Sequence, residues 1–219
     1  MSQHNLLDAL IAKTTISKKI TTKQQKIAQS AIKMFAEKGY ANTSTSEIAK
    51  DADVAEGTIF RHYGTKENLL LAILLPFIKE SLPSMAENVF QQLHSDENIV
   101  CFEDFIRAFL QNRLEFIEEN KEIFQVLVKE LLYNEVLRNE LLPYFSKNVI
   151  ERFTNVIGYF KEQGELNDIS IEFIQRMLFT FFGGYFISRF VFTSNITVFE
   201  EENEIENVVS FIINGLKVK

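Results

Sequence analysis

Between residues 45 and 66 the chain gathers side chains able to exchange hydrogen bonds and charge with a polyanion. They are the hydroxyls of Thr45, Ser46 and Thr58, the carboxylate of Glu56, the guanidinium of Arg61, the imidazole of His62 and the ammonium of Lys66, with Gly57 and Phe60 among them. A guanidinium fork matches the paired acceptors of a guanine edge, so Arg61 is the side chain best suited to bidentate base reading. Gly57 lets backbone approach closely. Lys66, at the start of a predicted helix, can pair with a phosphate that the free N–H groups there also favour. Glu56 either accepts from a cytosine amine or complements the helix dipole. Covalent chemistry finds no such grouping: the sequence has no phosphate loop, no paired metal-ligand motif, no serine elbow and no histidine beside a credible nucleophile. The expectation is a protein that is not an enzyme and takes no cofactor and no metal. Cys101 is the single cysteine, and His4 and His94 read as structural or solvated.

Helices must position these groups. From Lys23 to Lys38, apolar residues Ile27, Ala28, Ala31, Met34 and Phe35 recur on one helical face, and Gly39 ends it. Thr43, Ser44 and Thr45 offer N-cap hydroxyls to a short helix carrying Ile48, Ala49 and Ala52. Asp53 falls where a tight turn needs a left-handed residue, and a third short helix from about Glu56 to Tyr63 follows. Ile59 packs inward, which turns Glu56, Gly57, Thr58, Phe60, Arg61 and His62 outward. Two short helices on a tight turn, the second exposing small and polar residues, form a helix-turn-helix that lays its second helix in the major groove. A fourth helix starts at Lys66 and Glu67 and continues to Phe77, with Pro76 as a bend.

Residues 39–70, GYANTSTSEIAKDADVAEGTIFRHYGTKENLL, resemble the signature of the TetR family of bacterial transcription repressors. The likeness rests on Gly39-Tyr40, Thr43, Ile48-Ala49, Val54, Gly57-Thr58-Ile59-Phe60, His62-Tyr63 and Lys66-Glu67-Asn68-Leu69, and extends over residues 23 to about 75. It implies a motif from about Ser44 to Tyr63, with Thr45, Ser46, Thr58, Phe60, Arg61, His62 and Lys66 where family members touch DNA. Phe60 departs from the usual tyrosine and lacks its hydroxyl, and acidic Glu56 begins the recognition helix. The resemblance also implies an inducer pocket and a homodimer on a palindromic operator.

Composition divides at the same place. Net charge is −7 overall, but residues 1–75 carry +3 and residues 76–219 carry −10, so only the first third is suited to approach phosphates. Of twenty-one phenylalanines only Phe35 and Phe60 precede residue 76. The sequence divides into a tail at 1–22, a helix-turn-helix domain at 23–70 and a ligand-binding and dimerisation domain at 71–219. Lys13, Lys18, Lys19 and Lys23 form either a basic arm or a solvated tail. Helices are expected near 102–119, 121–132, 135–142, 144–163, 170–192 and 203–217, giving an all-α fold of nine or ten helices. No signal peptide opens the chain, and the longest apolar stretch, 177–188, is about half of what a membrane helix needs, so a cytoplasmic protein with no membrane partner is expected.

Plain core packing explains most of the nineteen phenylalanines in the larger region, yet nineteen is a heavy load, and aromatic-lined cavities take hydrophobic ligands. A small hydrophobic or aromatic effector is expected among Phe105, Phe109, Phe124, Tyr133, Phe153 and Phe182, with Glu130 or Arg113 as polar anchors. The last two helices carry apolar faces suited to a four-helix dimer interface: Phe173, Met177, Phe181, Gly184, Tyr185 and Ser188, then Ile205, Val208, Val209, Ile212 and Leu216. The expected function is a ligand-responsive repressor, binding double-stranded operator DNA as a homodimer and released by its effector. The rival is a helical carrier or sensor of a hydrophobic molecule that does not bind an operator.

Overall fold

The computed structural model describes residues 21–81, 101–192 and 203–217. Nearly all of the predicted tail, with Lys13, Lys18 and Lys19, lies outside them. Among the described residues ten α-helices follow one another: α1 (Thr22–Lys38), α2 (Thr45–Asp51), α3 (Glu56–Tyr63), α4 (Lys66–Ser81), α5 (Phe102–Glu119), α6 (Lys121–Tyr133), α7 (Glu135–Phe145), α8 (Glu151–Glu162), α9 (Ile171–Ile187) and α10 (Glu204–Leu216). Short π-helical turns follow α7 (Ser146–Ile150) and α9 (Ser188–Phe192). The all-α expectation holds, and most helix boundaries read from spacing fall within a few residues of those observed; the start of α8, expected at 144, and the end of α9, expected at 192, are displaced by the π turns.

The chain forms two compact units. Of the described residues, one comprises 21–80 with 120–143, and the other 81 and 101–119 with 144–192 and 203–217. In the first, α6 packs against α1, so a helix that the sequence reading placed with the C-terminal region joins the N-terminal helices. Nothing in the periodicity of residues 121–133 distinguishes those two homes, because an amphipathic face specifies burial and not the partner.

Local rules build the first unit. Thr21 caps α1 by accepting from the Gln24 N–H, while the Gln24 side chain accepts from the Thr21 N–H. Ser44 and Glu47 form the same reciprocal box at the start of α2. Gly39 at φ 84° and Gly64 at φ 78° end α1 and α3 in a conformation that glycine adopts without steric cost. Between α2 and α3 the turn is held by Ala52 N–H to Ile48 O at 2.9 Å and Val54 N–H to Ala49 O at 2.9 Å, with Asp53 left-handed at φ 55°. Ile27, Ala31, Phe35, Ile48, Ala49, Ile59, Leu69 and Leu70 are buried to 3% exposure or less. Each large apolar side chain among them contributes about 1.5–3 kcal/mol.

In the second unit, Phe102, Phe105 and Phe109 lie along one face of α5 and meet Phe153 and Phe160 of α8 and Phe182 of α9. Arg107 of α5 grips Glu206 of α10 through two bonds, at 2.8 and 3.0 Å, and also reaches Glu103 at 3.0 Å. These partners raise the Arg107 pKa and lower that of Glu206. The sequence reading separated 135–142 from 144–163 at Pro143, but the chain runs on through the π turn. Proline removes one helical donor, and the π turn absorbs the change of register. The Ile150 carbonyl in that turn accepts from the Thr154 hydroxyl at 3.0 Å and the buried Gln175 amide at 2.7 Å.

A backbone prediction follows from the turn. Asp53→Val lowers stability by about 1–2 kcal/mol, because a β-branched residue resists the left-handed conformation, whereas Asp53→Gly does not lower it. Urea midpoints of the two variants check this.

Candidate nucleic-acid interface

The reading surface begins with Ile59. It is fully buried beneath α3, and that orientation leaves Glu56, Gly57, Phe60, Arg61 and His62 exposed and Thr58 half-buried. Phe60 is 47% exposed, a large apolar ring kept in water beside Arg61. A Cβ added at Gly57 would meet nothing within 4 Å, so no packing inside the chain requires glycine there. Thr45 and Ser46 stand at the start of α2, where the Thr45 hydroxyl donates to Glu56 Oε1 at 2.6 Å and so joins the beginnings of α2 and α3. The outward set expected from the sequence is therefore on one side of the unit, with Ile59 on the other.

Around that surface the unit is stiffened by charge. The Lys38 ammonium meets Glu47 at 2.9 Å, and the Ser44 N–H and hydroxyl each donate to the other Glu47 oxygen at 2.9 Å. The Ser44 backbone bond first, then Lys38, hold the Glu47 carboxyl down to about 2. Thr43 is buried, and its hydroxyl donates to Gly39 O at 2.9 Å and Met34 O at 3.3 Å, tying the α1–α2 loop to the end of α1.

Lys66 has a different setting from the phosphate contact expected of it. Its ammonium donates to the carbonyls of Tyr40 at 2.8 Å and Thr43 at 2.7 Å and lies 4.2 Å from the centre of the Tyr40 ring. Burial pushes the Lys66 pKa down, opposed by the charge of Glu130. Glu130 of α6, expected as an effector anchor, faces this same loop. Burial raises its carboxyl, while bonds from the Asn134 side chain and the Tyr40 backbone and the charge of Lys66 pull it back. The Tyr40 phenol is pushed up to about 12 by burial and by Glu67 and Glu130. Beside it Lys129 donates to Ala36 O at 2.9 Å, near the end of α1. The sequence reading did not find this clasp. Its only trace was Tyr40 and Lys66 standing in one motif, and α6 lies some sixty residues further on.

The other expected groups distribute as follows. Phe105, Phe109, Phe153 and Phe182 come together: ring centres lie 5.9 Å apart for Phe105 and Phe153, 5.2 Å for Phe109 and Phe153, and 4.7 Å for Phe109 and Phe182. Arg113 is buried one turn further along α5, over the Phe116 ring at 4.9 Å and bonded to the Asn112 carboxamide. Burial pushes its guanidinium down to about 10. Phe124, Glu130 and Tyr133 belong to α6 in the other unit, and Tyr133 is 87% exposed.

Of the dimer set, Phe173, Met177 and Gly184 are exposed, and Phe181, Tyr185, Ser188, Ile205, Val208 and Leu216 are half-buried. Val209 and Ile212 are buried within the protomer. The Tyr185 hydroxyl donates to Glu204 at 2.8 Å, a carboxylate that also receives Arg189. Phe211, which the sequence reading passed over, is 70% exposed and stacks on Phe181 with ring centres 5.4 Å apart. Its position three residues after Val208 was the available signal. Among the described residues no three acidic, histidine or cysteine side chains are grouped to hold a metal ion, and no helix is long and apolar enough to cross a membrane.

A two-helix reading head on a buried isoleucine, its exposed side bearing Arg61 and Gly57, defines a helix-turn-helix DNA-binding protein. The model of bacterial regulatory proteins of the tetR family matches residues 27–73, which span α1, α2, α3 and the first half of α4. The HTH-type transcriptional regulator YerO of Bacillus subtilis is 27% identical across 71% of this chain and 63% of its own length, so the chain spans just under two thirds of that relative. The HTH-type transcriptional regulator QacR of Staphylococcus aureus is 26% identical across 66% of this chain and 71% of its own. A solved bacterial regulatory protein of the tetR family from Rhodococcus RHA1 superposes with a TM-score of 0.70 at 21% identity, covering 91% of this chain and all of that one, a likeness of fold. Residues 27–73 thus carry the DNA-binding region of the tetR family of bacterial regulatory proteins, and the relatives that the chain resembles over most of its length are HTH-type transcriptional regulators.

Two measurements probe the interface. Glu47 titrates near 2 in the folded protein, below its ordinary 4.5. Its contribution to stability is therefore complete above about pH 4.5 and is lost as pH falls toward 2; Glu47→Gln flattens that part of the acid-unfolding profile. Lys66→Ala lowers stability by about 1–2 kcal/mol through the two lost charge-assisted bonds, and it leaves the salt dependence of DNA binding unchanged. A fall of about one in the log–log salt slope would instead put the ammonium on a phosphate.

Proposed function

We propose that this regulator is a repressor that binds a palindromic operator as a homodimer and lets go when a small lipophilic effector binds its second unit. The observation that carries this is the exposed edge of α3, where Arg61, His62, Thr58 and Gly57 stand outward above a buried Ile59. Arg61 forks onto a guanine, Ser46 bonds a phosphate at the start of α2, and Phe60 and His62 pack against sugar and base edges. Lys66 acts inside the unit, holding the loop that presents Thr45. The role is cytoplasmic, where the DNA is.

The dimer rests on the apolar edge of α9 and α10. Phe173 and Met177 on α9 and Phe211 on α10 are large apolar side chains that a lone protomer leaves 40–70% exposed. Isologous pairing of those faces buries them and sets two recognition helices about 34 Å apart, or a multiple of it, to match two half-sites. The effector enters among Phe105, Phe109, Phe153 and Phe182, with Arg113 as its polar neighbour. Whatever conformation the effector prefers, its effect on operator affinity is returned as an equal effect of operator on effector affinity, about 1–3 kcal/mol in typical cases.

The test is a footprint of the full chain on the DNA flanking its own gene, titrated with salt. Nanomolar, salt-sensitive protection that weakens by about 10- to 100-fold in Arg61→Ala is the expected result. Absence of any specific protection at low salt would leave the carrier reading in its place. In the same assay a monomer by light scattering at micromolar concentration would remove the dimer.

A further inference from the structure

We infer that Glu56 is a specificity-determining residue that reads a cytosine in each operator half-site, with Thr45 as its positioning residue. This rests on the operator reading above and adds to it one base and the groups that select it. Glu56 is the first residue of α3, the end of a recognition helix that contacts base edges, and it is exposed. Its helix gains no side-chain cap from Ala55, and the carboxylate does not serve as one either. Instead Oε1 is taken by the Thr45 hydroxyl at 2.6 Å, across the turn, and Oε2 takes no hydrogen bond from the described residues. One oxygen is thus tethered, and the other belongs to an exposed side chain with an acceptor to spare.

A carboxylate can only accept hydrogen bonds. On the major-groove edge guanine offers two acceptors, thymine an acceptor and a methyl group, and adenine an acceptor beside its amine. Each of these sets like partial charge against Glu56. Cytosine alone presents an amine with no acceptor of its own beside it, so a fixed carboxylate selects cytosine and rejects the other three. A negative charge there also lowers affinity for every other sequence by repelling phosphate, which widens the gap between operator and bulk DNA. The Thr45 tether matters because a freely rotating glutamate would turn toward water or the helix end and discriminate less.

The experiment is selection of bound duplexes from a randomised pool by the full-length protein, followed by sequencing, with the wild type, Glu56→Ala, Glu56→Gln, Thr45→Val and Thr45→Ser. The wild type is expected to enrich a two-fold motif with a C·G pair at one symmetric position, preferred about tenfold over other pairs. Glu56→Ala keeps the remainder of the motif, loses preference at that pair to less than about threefold, and binds nonspecific DNA more tightly. Glu56→Gln shifts the preference there toward adenine, whose amine and N7 a carboxamide can engage together. Thr45→Val blunts the cytosine preference and Thr45→Ser restores it. An unchanged motif in Glu56→Ala, or an affinity change of the same factor on all sequences, overturns the assignment while the repressor reading stands. A wild type that enriches nothing overturns both.

Discussion

Burial of Ile59 is the constraint on which the reading surface depends. An eight-residue helix is too short to hold itself in water, so α3 exists because its one fully buried side chain joins the apolar layer that holds Ile48 and Ala49 of α2, against which it packs. Once that face is committed, every other residue of the helix is aimed by geometry alone. Gly57 and Arg61 stand furthest from the core, Thr58 and Phe60 flank them, and Glu56 turns to the α2 side, where it meets Thr45. The turn that allows this contains one left-handed aspartate and two backbone bonds of 2.9 Å, so the angle between the helices is set by covalent geometry more than by side-chain choice.

The loop in front of α2 is held as firmly as the turn behind it. Lys66 ties the carbonyls of Tyr40 and Thr43, the buried Thr43 hydroxyl ties the loop to Gly39, and Glu130 and Lys129 bring α6 onto Tyr40 and Ala36. The half-buried charges of Lys66 and Glu130 survive here because each has more than one hydrogen-bonding partner, which offsets desolvation. As a consequence α6 belongs to the same compact unit as the helix-turn-helix. A displacement of α6 would be felt at Tyr40 and, through the loop, at Ser44 and Thr45, the first residues of the reading head.

Much of this was legible from residue order. The α1 stripe, the cap hydroxyls before α2, the stop at Gly39 and the left-handed position of Asp53 are local rules acting over three to eight residues, and helix ends obey them. The outward group on α3 followed from the same periodicity once Ile59 was taken as buried. What escaped were the polar contacts made at long range in sequence: Lys66 with Tyr40 and Thr43, Glu130 with the same loop, and the tether of Glu56 by Thr45. The aromatic residues divided similarly. Phe105, Phe109, Phe153 and Phe182 pack ring against ring, but Phe124 and Tyr133 were grouped with them on type alone, and α6 carries both into the other unit. Val209 and Ile212 looked like interface residues for the same reason, since a stripe of apolar side chains does not say whether a neighbouring helix or a second copy covers it.

By itself, then, the sequence determined which segments are helical, where they start and stop, that the basic third and the acidic, phenylalanine-rich remainder differ in role, and which residues of a short helix face outward. Those properties depend on spacing, charge and φ preference, all carried by near neighbours. Only the tertiary structure decided that Lys66 is spent on carbonyls, that Glu130 serves the reading head, and that Glu56 is held with one oxygen tethered. Such assignments depend on distances between residues far apart in the chain, and those distances arise when helices with interchangeable apolar faces choose one packing among several.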